Sequence, residues 1–178
     1  MMSGLDLHLF RLINRDLSNA FFDFLMPAVA NPDPFLIPLA IAGVGLMAWG
    51  GRKGRSLVIT ALLLLLVTNG VSELLKLWVQ RPRPCLVLES VRVLAGCSGR
   101  SFSFPSSHAA NITAQALLFA SAYRKWAIPL FLVAATVAYS RVYTGVHYPT
   151  DVIGGVAVGL VWGAVFIPFA REVERRIP

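Results

Sequence analysis

The chain has 178 residues, 56% of them hydrophobic and 14% charged, with a mean hydropathy of +0.67. Soluble domains lie nearer to roughly 45–50% apolar and about 25% charged, so the composition excludes an ordinary soluble enzyme and points to a chain dissolved in lipid. A net charge of +7 and a pI near 10.1 would suggest a nucleic-acid partner in a soluble protein, but here the cations sit in short clusters between apolar runs, where topology signals and headgroup contacts belong, and no nucleic acid is expected.

Residues 1–17 alternate Leu7, Phe10, Leu12, Ile13 and Leu17 with Asp6, Arg11, Arg15 and Asp16, the pattern of an amphipathic segment lying in the membrane interface. The order of basic start, apolar stretch and small-residue cleavage site that marks a cleaved signal peptide is missing from it. Residues 18–30 are apolar enough for a short tilted span, but Asp23, Pro27 and the Asn31-Pro32-Asp33-Pro34 break interrupt them. The side of the N-terminus stays open for that reason. Spans follow at about 34–50, 56–79, 105–123, 127–145 and 150–170, each near the length that crosses about 30 Å of hydrocarbon. The fold class is all-α: a polytopic membrane helix bundle of five to six transmembrane helices, with residues 1–178 forming a single membrane-embedded domain.

Counting spans places Arg52, Lys53 and Arg55, then Arg124 and Lys125, then Arg171, Arg175 and Arg176 on one side, which the positive-inside rule makes cytoplasmic. The opposite side, facing the periplasm or exterior, receives Lys76, Arg81, Arg83, Arg92, Arg100 and Arg141. That basic set works against the rule, and a phosphate site would explain it. Cys85 and Cys97 fall in the outer loop 80–104, where an oxidising compartment would let them join in a disulfide; two unpaired thiols are the alternative.

Three clusters carry chemistry. In Lys76-Leu-Trp-Val-Gln-Arg81-Pro82-Arg83-Pro84, two Arg-Pro steps end a helix and set extended backbone beside the cations; snorkelling anchors are the bland alternative. In Pro105-Ser106-Ser107-His108, a Ser caps a helix start whose free N–H groups and dipole make an anion site, although Pro-Ser-Ser is also a common plain helix start. In Ser140-Arg141-Val-Tyr-Thr-Gly145-Val-His147-Tyr-Pro149-Thr-Asp151, the chain turns at Gly145 and re-enters a helix near Pro149. Asp151, four residues after His147, is expected to hold one imidazole nitrogen and leave the other as nucleophile or base, unless the pair merely clamps a turn. All three clusters fall on the outer side at about the same depth. Cations and helix N–H groups around two histidines suit phosphoryl transfer.

These residues resemble the type 2 phosphatidic acid phosphatase superfamily, whose signatures are Lys-x6-Arg-Pro, Pro-Ser-Gly-His and Ser-Arg-x5-His-x3-Asp. Lys76 to Arg83-Pro84 and Ser140-Arg141 to His147 to Asp151 match in full, and Pro105-Ser106-Ser107-His108 matches with Ser107 where the family more often has Gly. The resemblance implies His147 as the nucleophile that forms a phosphohistidine, Asp151 as its orienting group and His108 as general acid. It also implies Lys76, Arg83 and Arg141 as phosphate ligands, assisted by Ser106 and the N–H of Ser107, with no metal and no cofactor. An integral membrane location in the cell (inner) membrane follows, with a membrane lipid phosphate as substrate.

Small bacterial relatives in the family include undecaprenyl diphosphate phosphatases, so the implied substrate is undecaprenyl diphosphate, with phosphatidylglycerophosphate, phosphatidic acid and lipid A phosphates as alternatives. From other classes stand a non-catalytic lipid-binding or transport protein and an oxidoreductase like the related vanadium haloperoxidases. Oligomeric state leaves no mark in the sequence. Asn69, Glu73 and Asn111 are candidates for a headgroup path or for helix-to-helix hydrogen bonds, and Gly155, Gly159 and Gly163 for close packing.

Overall fold

A computed structural model describes residues 4–97, 99 and 101–177; Arg100 of the outer basic set lies outside them. The elements are α1 (Gly4–Arg11, continued by a wider turn over Leu12–Asp16), α2 (Ala20–Ala30), α3 (Asp33–Trp49), α4 (Gly51–Val79), α5 (Pro84–Val87), α6 (Ser107–Ala122), α7 (Ala127–Tyr143) and α8 (Pro149–Arg176). No strand occurs among the described residues. Sequence chemistry sets the breaks. Gln80 ends α4 in the left-handed conformation at φ 51°, just before Arg81-Pro82 forbids a further turn. Ser106 caps α6, and Pro149 opens α8 at a position where its missing N–H costs nothing.

The run Gly51–Val87, Arg124–Tyr143 and Pro149–Arg176 are long and apolar enough to cross a membrane, and α2 with α3 passes the same test as a pair bent by 52°. Their outward faces carry Leu62, Leu66, Leu74, Ile153 and Val161, an apolar surface that only lipid can cover favourably. The expected span at 105–123 is a shorter helix of 16 residues, about 24 Å long, because Pro105 and Ser106 form its cap. It is Ala-rich for a different reason from its neighbours. It sits in the middle of the bundle, touching α4, α7 and α8.

Contacts along α6 give its direction. Asn111 meets Thr68, Gln115 meets Ala61 and the Ala122 carbonyl meets Lys53, so α6 runs antiparallel to α4. Against α8 it runs parallel, with Gly155 over Ser106 and Ala109, Gly159 over Ala110 and Thr113, and Gly163 over Ala114 and Leu117. Those three glycines let the two backbones approach, the packing expected of them. Asn111 donates to Asn69 at 2.8 Å and accepts from Thr68 at 2.5 Å, so these polar groups are spent on helix-to-helix bonds.

The basic loops do meet at one end. Lys53 donates to the Ala122 carbonyl at 2.5 Å, and Arg52 to the Glu174 and Arg175 carbonyls at 3.2 and 2.6 Å, capping the last turns of α6 and α8. Residues 76–84, 103–108 and 141–151 gather at the opposite end. Asn19 at the start of α2 donates to Tyr143 Oη (3.2 Å), and the Ala30 carbonyl at its finish accepts from Arg141 (2.9 Å); both partners sit in the last turn of α7, so both ends of α2 are held at the site end of the bundle. Then α3 descends to the Gly50 turn. The amphipathic segment lies across the site end, with Asp6, Phe10 and Asn14 turned inward rather than exposed. Asn14 donates to the Tyr143 and Arg92 carbonyls at 2.7 and 2.8 Å, which ties the segment to the loop before α6.

Candidate active site

Each predicted site residue is delivered by a helix end. Lys76 stands in the last turn of α4, Arg83 follows the Arg-Pro break, Ser106, Ser107 and His108 open α6, and Arg141 stands in the last turn of α7. His147 and Asp151 are brought back by a turn that requires Gly145. Its φ is +82°, and a Cβ there would lie 2.6 Å from the Arg92 carbonyl and 2.8 Å from Val91 Cγ1. The Ser106 N–H donates to the Asp151 backbone carbonyl at 2.9 Å, so the second and third clusters are joined through main chain.

The imidazole of His147 is nearly sealed from solvent. Its Nδ1 lies 2.8 Å from the Ser103 carbonyl oxygen, which can only accept, so Nδ1 carries the proton. Nε2 then presents its lone pair, facing Arg83 Nη1 at 3.4 Å. Burial pulls the pKa of His147 down from 6.5 to about 4; Asp151 opposes this, and the Arg83 and Arg141 charges add to it. At neutral pH the ring is therefore uncharged, and Nε2 carries the lone pair that faces Arg83.

Asp151 departs from the expected geometry. It stands 3.7 Å from Nδ1 and does not take the imidazole N–H directly. One oxygen accepts from the Tyr148 N–H at 2.8 Å and from the Ser103 hydroxyl, while the other accepts from Arg81 at 2.7 Å. Ser103 thus stands between the two, its hydroxyl on Asp151 and its carbonyl on His147. The substitution of Ser107 for the family's glycine also has a use, since its hydroxyl accepts from Lys76 at 2.7 Å.

Charge is the informative part of the site. Lys76, Arg83 and Arg141 are only 5%, 9% and 6% exposed. Lys76 is paired with Glu73 at 2.6 Å. Among the described residues, however, neither Arg83 nor Arg141 has a carboxylate within ion-pair distance. Arg83 bonds the Ser101 carbonyl (3.0 Å) and the Val146 carbonyl (3.4 Å), Arg141 bonds the Ala30 carbonyl, and Arg141 Nε is buried without any partner. Buried guanidinium groups answered only by dipoles are costly, and an oxyanion is the ligand that would neutralise them. His108 opens α6 next to Ser107 and lies within electrostatic reach of Lys76, Arg83, Arg141 and His147. No three His, Cys, Asp or Glu side chains converge as a metal cage among the described residues.

Cys85 and Cys97 are joined in a disulfide, Cα atoms 6.5 Å apart, which closes the loop that leads from Arg83 toward Ser103. Sequence reasoning missed Ser103, although it directly precedes Phe104-Pro105-Ser106-Ser107-His108. A Ser acting through both its hydroxyl and its carbonyl has no spacing signature.

The family model of the PAP2 superfamily matches residues 57–175, the stretch that holds every one of these groups. The chain belongs to the PAP2 superfamily. It is 34% identical to phosphatidylglycerophosphatase B of Bacillus subtilis, over 79% of this chain and 70% of that one. It is 27% identical to the undecaprenyl-diphosphatase BcrC of the same organism, over 76% and 69%. Among solved structures, the transmembrane PAP2-type phosphatidylglycerolphosphate phosphatase from Bacillus subtilis superposes with a TM-score of 0.75 at 26% identity, covering 98% of this chain and 90% of that one. The PAP2 chain described here is accordingly an integral membrane lipid phosphatase, with an all-helical fold.

Proposed function

We propose that this protein removes the terminal phosphate of a membrane lipid, undecaprenyl diphosphate first among the candidates, at the outer face of the cell membrane. One observation carries the reading: His147 keeps Nδ1 on the Ser103 carbonyl and turns Nε2 to Arg83, and the buried guanidinium groups of Arg83 and Arg141 have no carboxylate within ion-pair distance among the described residues. Nε2 attacks phosphorus, the bond to the lipid-side oxygen breaks, and His108, protonated once the bound phosphate offsets the surrounding cations, gives that oxygen a proton. Water then attacks the phosphohistidine, passing its proton to His108, and inorganic phosphate leaves. Lys76, Arg83, Arg141, the Ser106 cap and the Ser107 N–H hold the equatorial oxygens, and Asp151 orients His147 through Ser103. No step requires a metal or a cofactor. Undecaprenyl diphosphate is supported by the relative BcrC, and phosphatidylglycerophosphate by the Bacillus subtilis relative and solved structure of that activity, so headgroup choice is the second reading. Residues 1–178 act as one unit, since α1 is bonded to the start of α8.

The test is phosphate release by purified protein in detergent from farnesyl diphosphate, dioctanoyl phosphatidylglycerophosphate and dioctanoyl phosphatidic acid, with and without chelator, beside His147→Ala. The expected result is chelator-insensitive release, fastest from the diphosphate, and a loss of about 10³-fold or more in the variant. Release from none of the three, abolition by chelator, or a fully active variant would overturn the reading. Faster release from phosphatidylglycerophosphate would move the substrate to the second reading.

A further inference from the structure

Asp151 faces more than the imidazole. Arg81 donates from Nη1 to Asp151 Oδ1 and to Thr150 Oγ1, each at 2.7 Å, and from Nη2 to Asp6 Oδ2 at 2.5 Å. Its guanidinium lies 3.9 Å over the Tyr148 ring. Asp6 comes from α1, and it also accepts the Thr150 N–H at 3.0 Å and the Thr150 hydroxyl at 2.7 Å. Both carboxylates are buried, 3% and 0% exposed, and Asp6 lies well outside the stretch matched by the family model. A carboxylate from the other end of the chain is therefore built into the support of the site.

The charges show what it does there. Had Arg81 only Asp151 to answer, the two would cancel and His147 would see little negative potential. With Asp6 on its second face, the three groups sum to one negative charge, which acts on His147 across the 3.7 Å between Asp151 and Nδ1, while Ser103 fixes both groups through its hydroxyl and its carbonyl. Among the described residues, the other charged groups near the imidazole are the cations Arg83 beside Nε2 and Arg141 on α7, with Lys76 on α4 neutralised by its partner Glu73. His108 on α6 is the remaining titratable group there. A ring that becomes cationic when Nε2 bonds to phosphorus needs the opposite sign nearby, and needs it in the transition state more than in the resting state.

We propose that Asp6 and Arg81 are positioning residues for the phosphatase reaction: Asp6 occupies Arg81 so that Asp151 keeps its negative charge toward His147. The proposal rests on the reading of His147 as nucleophile. The amphipathic N-terminal segment thereby becomes part of the catalytic support and more than a membrane anchor.

The experiment measures hydrolysis of dioctanoyl phosphatidic acid by the full chain in detergent, with Tm recorded for each variant. Asp6→Asn is expected to lower kcat about tenfold with KM within about twofold of wild type, the pattern of an interaction made only in the transition state. The double variant Asp6→Asn/Arg81→Gln, which restores a sum of one negative charge, is expected to recover kcat to several times that of Asp6→Asn. A purely structural role gives the reverse order, because the double variant removes more contacts. Wild-type kcat in Asp6→Asn, or a double variant no faster than the single one, overturns the proposal. Where Asp6→Asn fails to fold, the charge-retaining Asp6→Glu decides: near wild-type kcat despite a lowered Tm supports the proposal, and a kcat that falls with Tm overturns it. His147→Ala in the same assay separates the two readings. Activity surviving in it removes the nucleophile assignment itself, whereas an inactive His147→Ala beside a fully active Asp6→Asn removes only the positioning role.

Discussion

His147 combines burial with a hydrogen-bond arrangement that only one tautomer satisfies, and this has a consequence for stability. Its pKa is about 4 in the folded chain and 6.5 when unfolded. Above pH 6.5 both states are deprotonated and the group contributes no pH dependence. Between pH 6.5 and 4 the unfolded state binds a proton that the folded state refuses, so stability falls as pH drops through that window, by about 2 kcal/mol at pH 5. Thermal melts in detergent at pH 7 and pH 5 are expected to show a larger drop for wild type than for His147→Gln; equal drops would mean that the ring is not held neutral. The residue types of the site were readable from the motif, because phosphate chemistry demands cations, imidazoles and a helix start. The link from Asp151 to His147 through Ser103 was not, since it depends on a carbonyl, a group that every residue carries.

At the scale of elements, α6 and α8 are held together by the absence of side chains. A Cβ on Gly159 would press on the Ala110 carbonyl and lie 2.8 Å from Thr113 Cβ, both on the buried side of α6. Gly163 is looser, with its nearest neighbour, Leu117, at 3.1 Å. Gly159→Leu is therefore expected to lower stability by about 1–3 kcal/mol and to lower kcat as well, because it parts the helix carrying Asp151 from the one opened by Ser106. Gly163→Ala should be milder in the same melting and turnover measurements, and an equal effect would contradict the packing described. The spacing of these glycines was visible in the sequence as a packing stripe. Which helix they face was not, nor that α6 would be a shorter Ala-rich helix enclosed by three others.

The whole molecule has two unlike ends. One gathers Arg52, Lys53, Arg55, Arg124, Lys125 and the tail arginines; the other holds the site, the disulfide and the N-terminal segment. If the positive-inside rule governs, a membrane-impermeant maleimide added to intact cells will label Cys85 and Cys97 only after reduction, and will leave a Lys125→Cys variant unlabelled until the cells are broken. Labelling of position 125 from outside would invert the orientation. Composition alone determined that the chain is a membrane helix bundle, because some 20 apolar residues per span are a property of local sequence, and the clustering of cations gave the expectation of a phosphate site at one end. Tertiary structure decided the rest. It tied both ends of α2 to the last turn of α7. It also brought Asp6 beside Arg81 and Asp151, a contact between distant parts of the chain that no periodicity or spacing can encode.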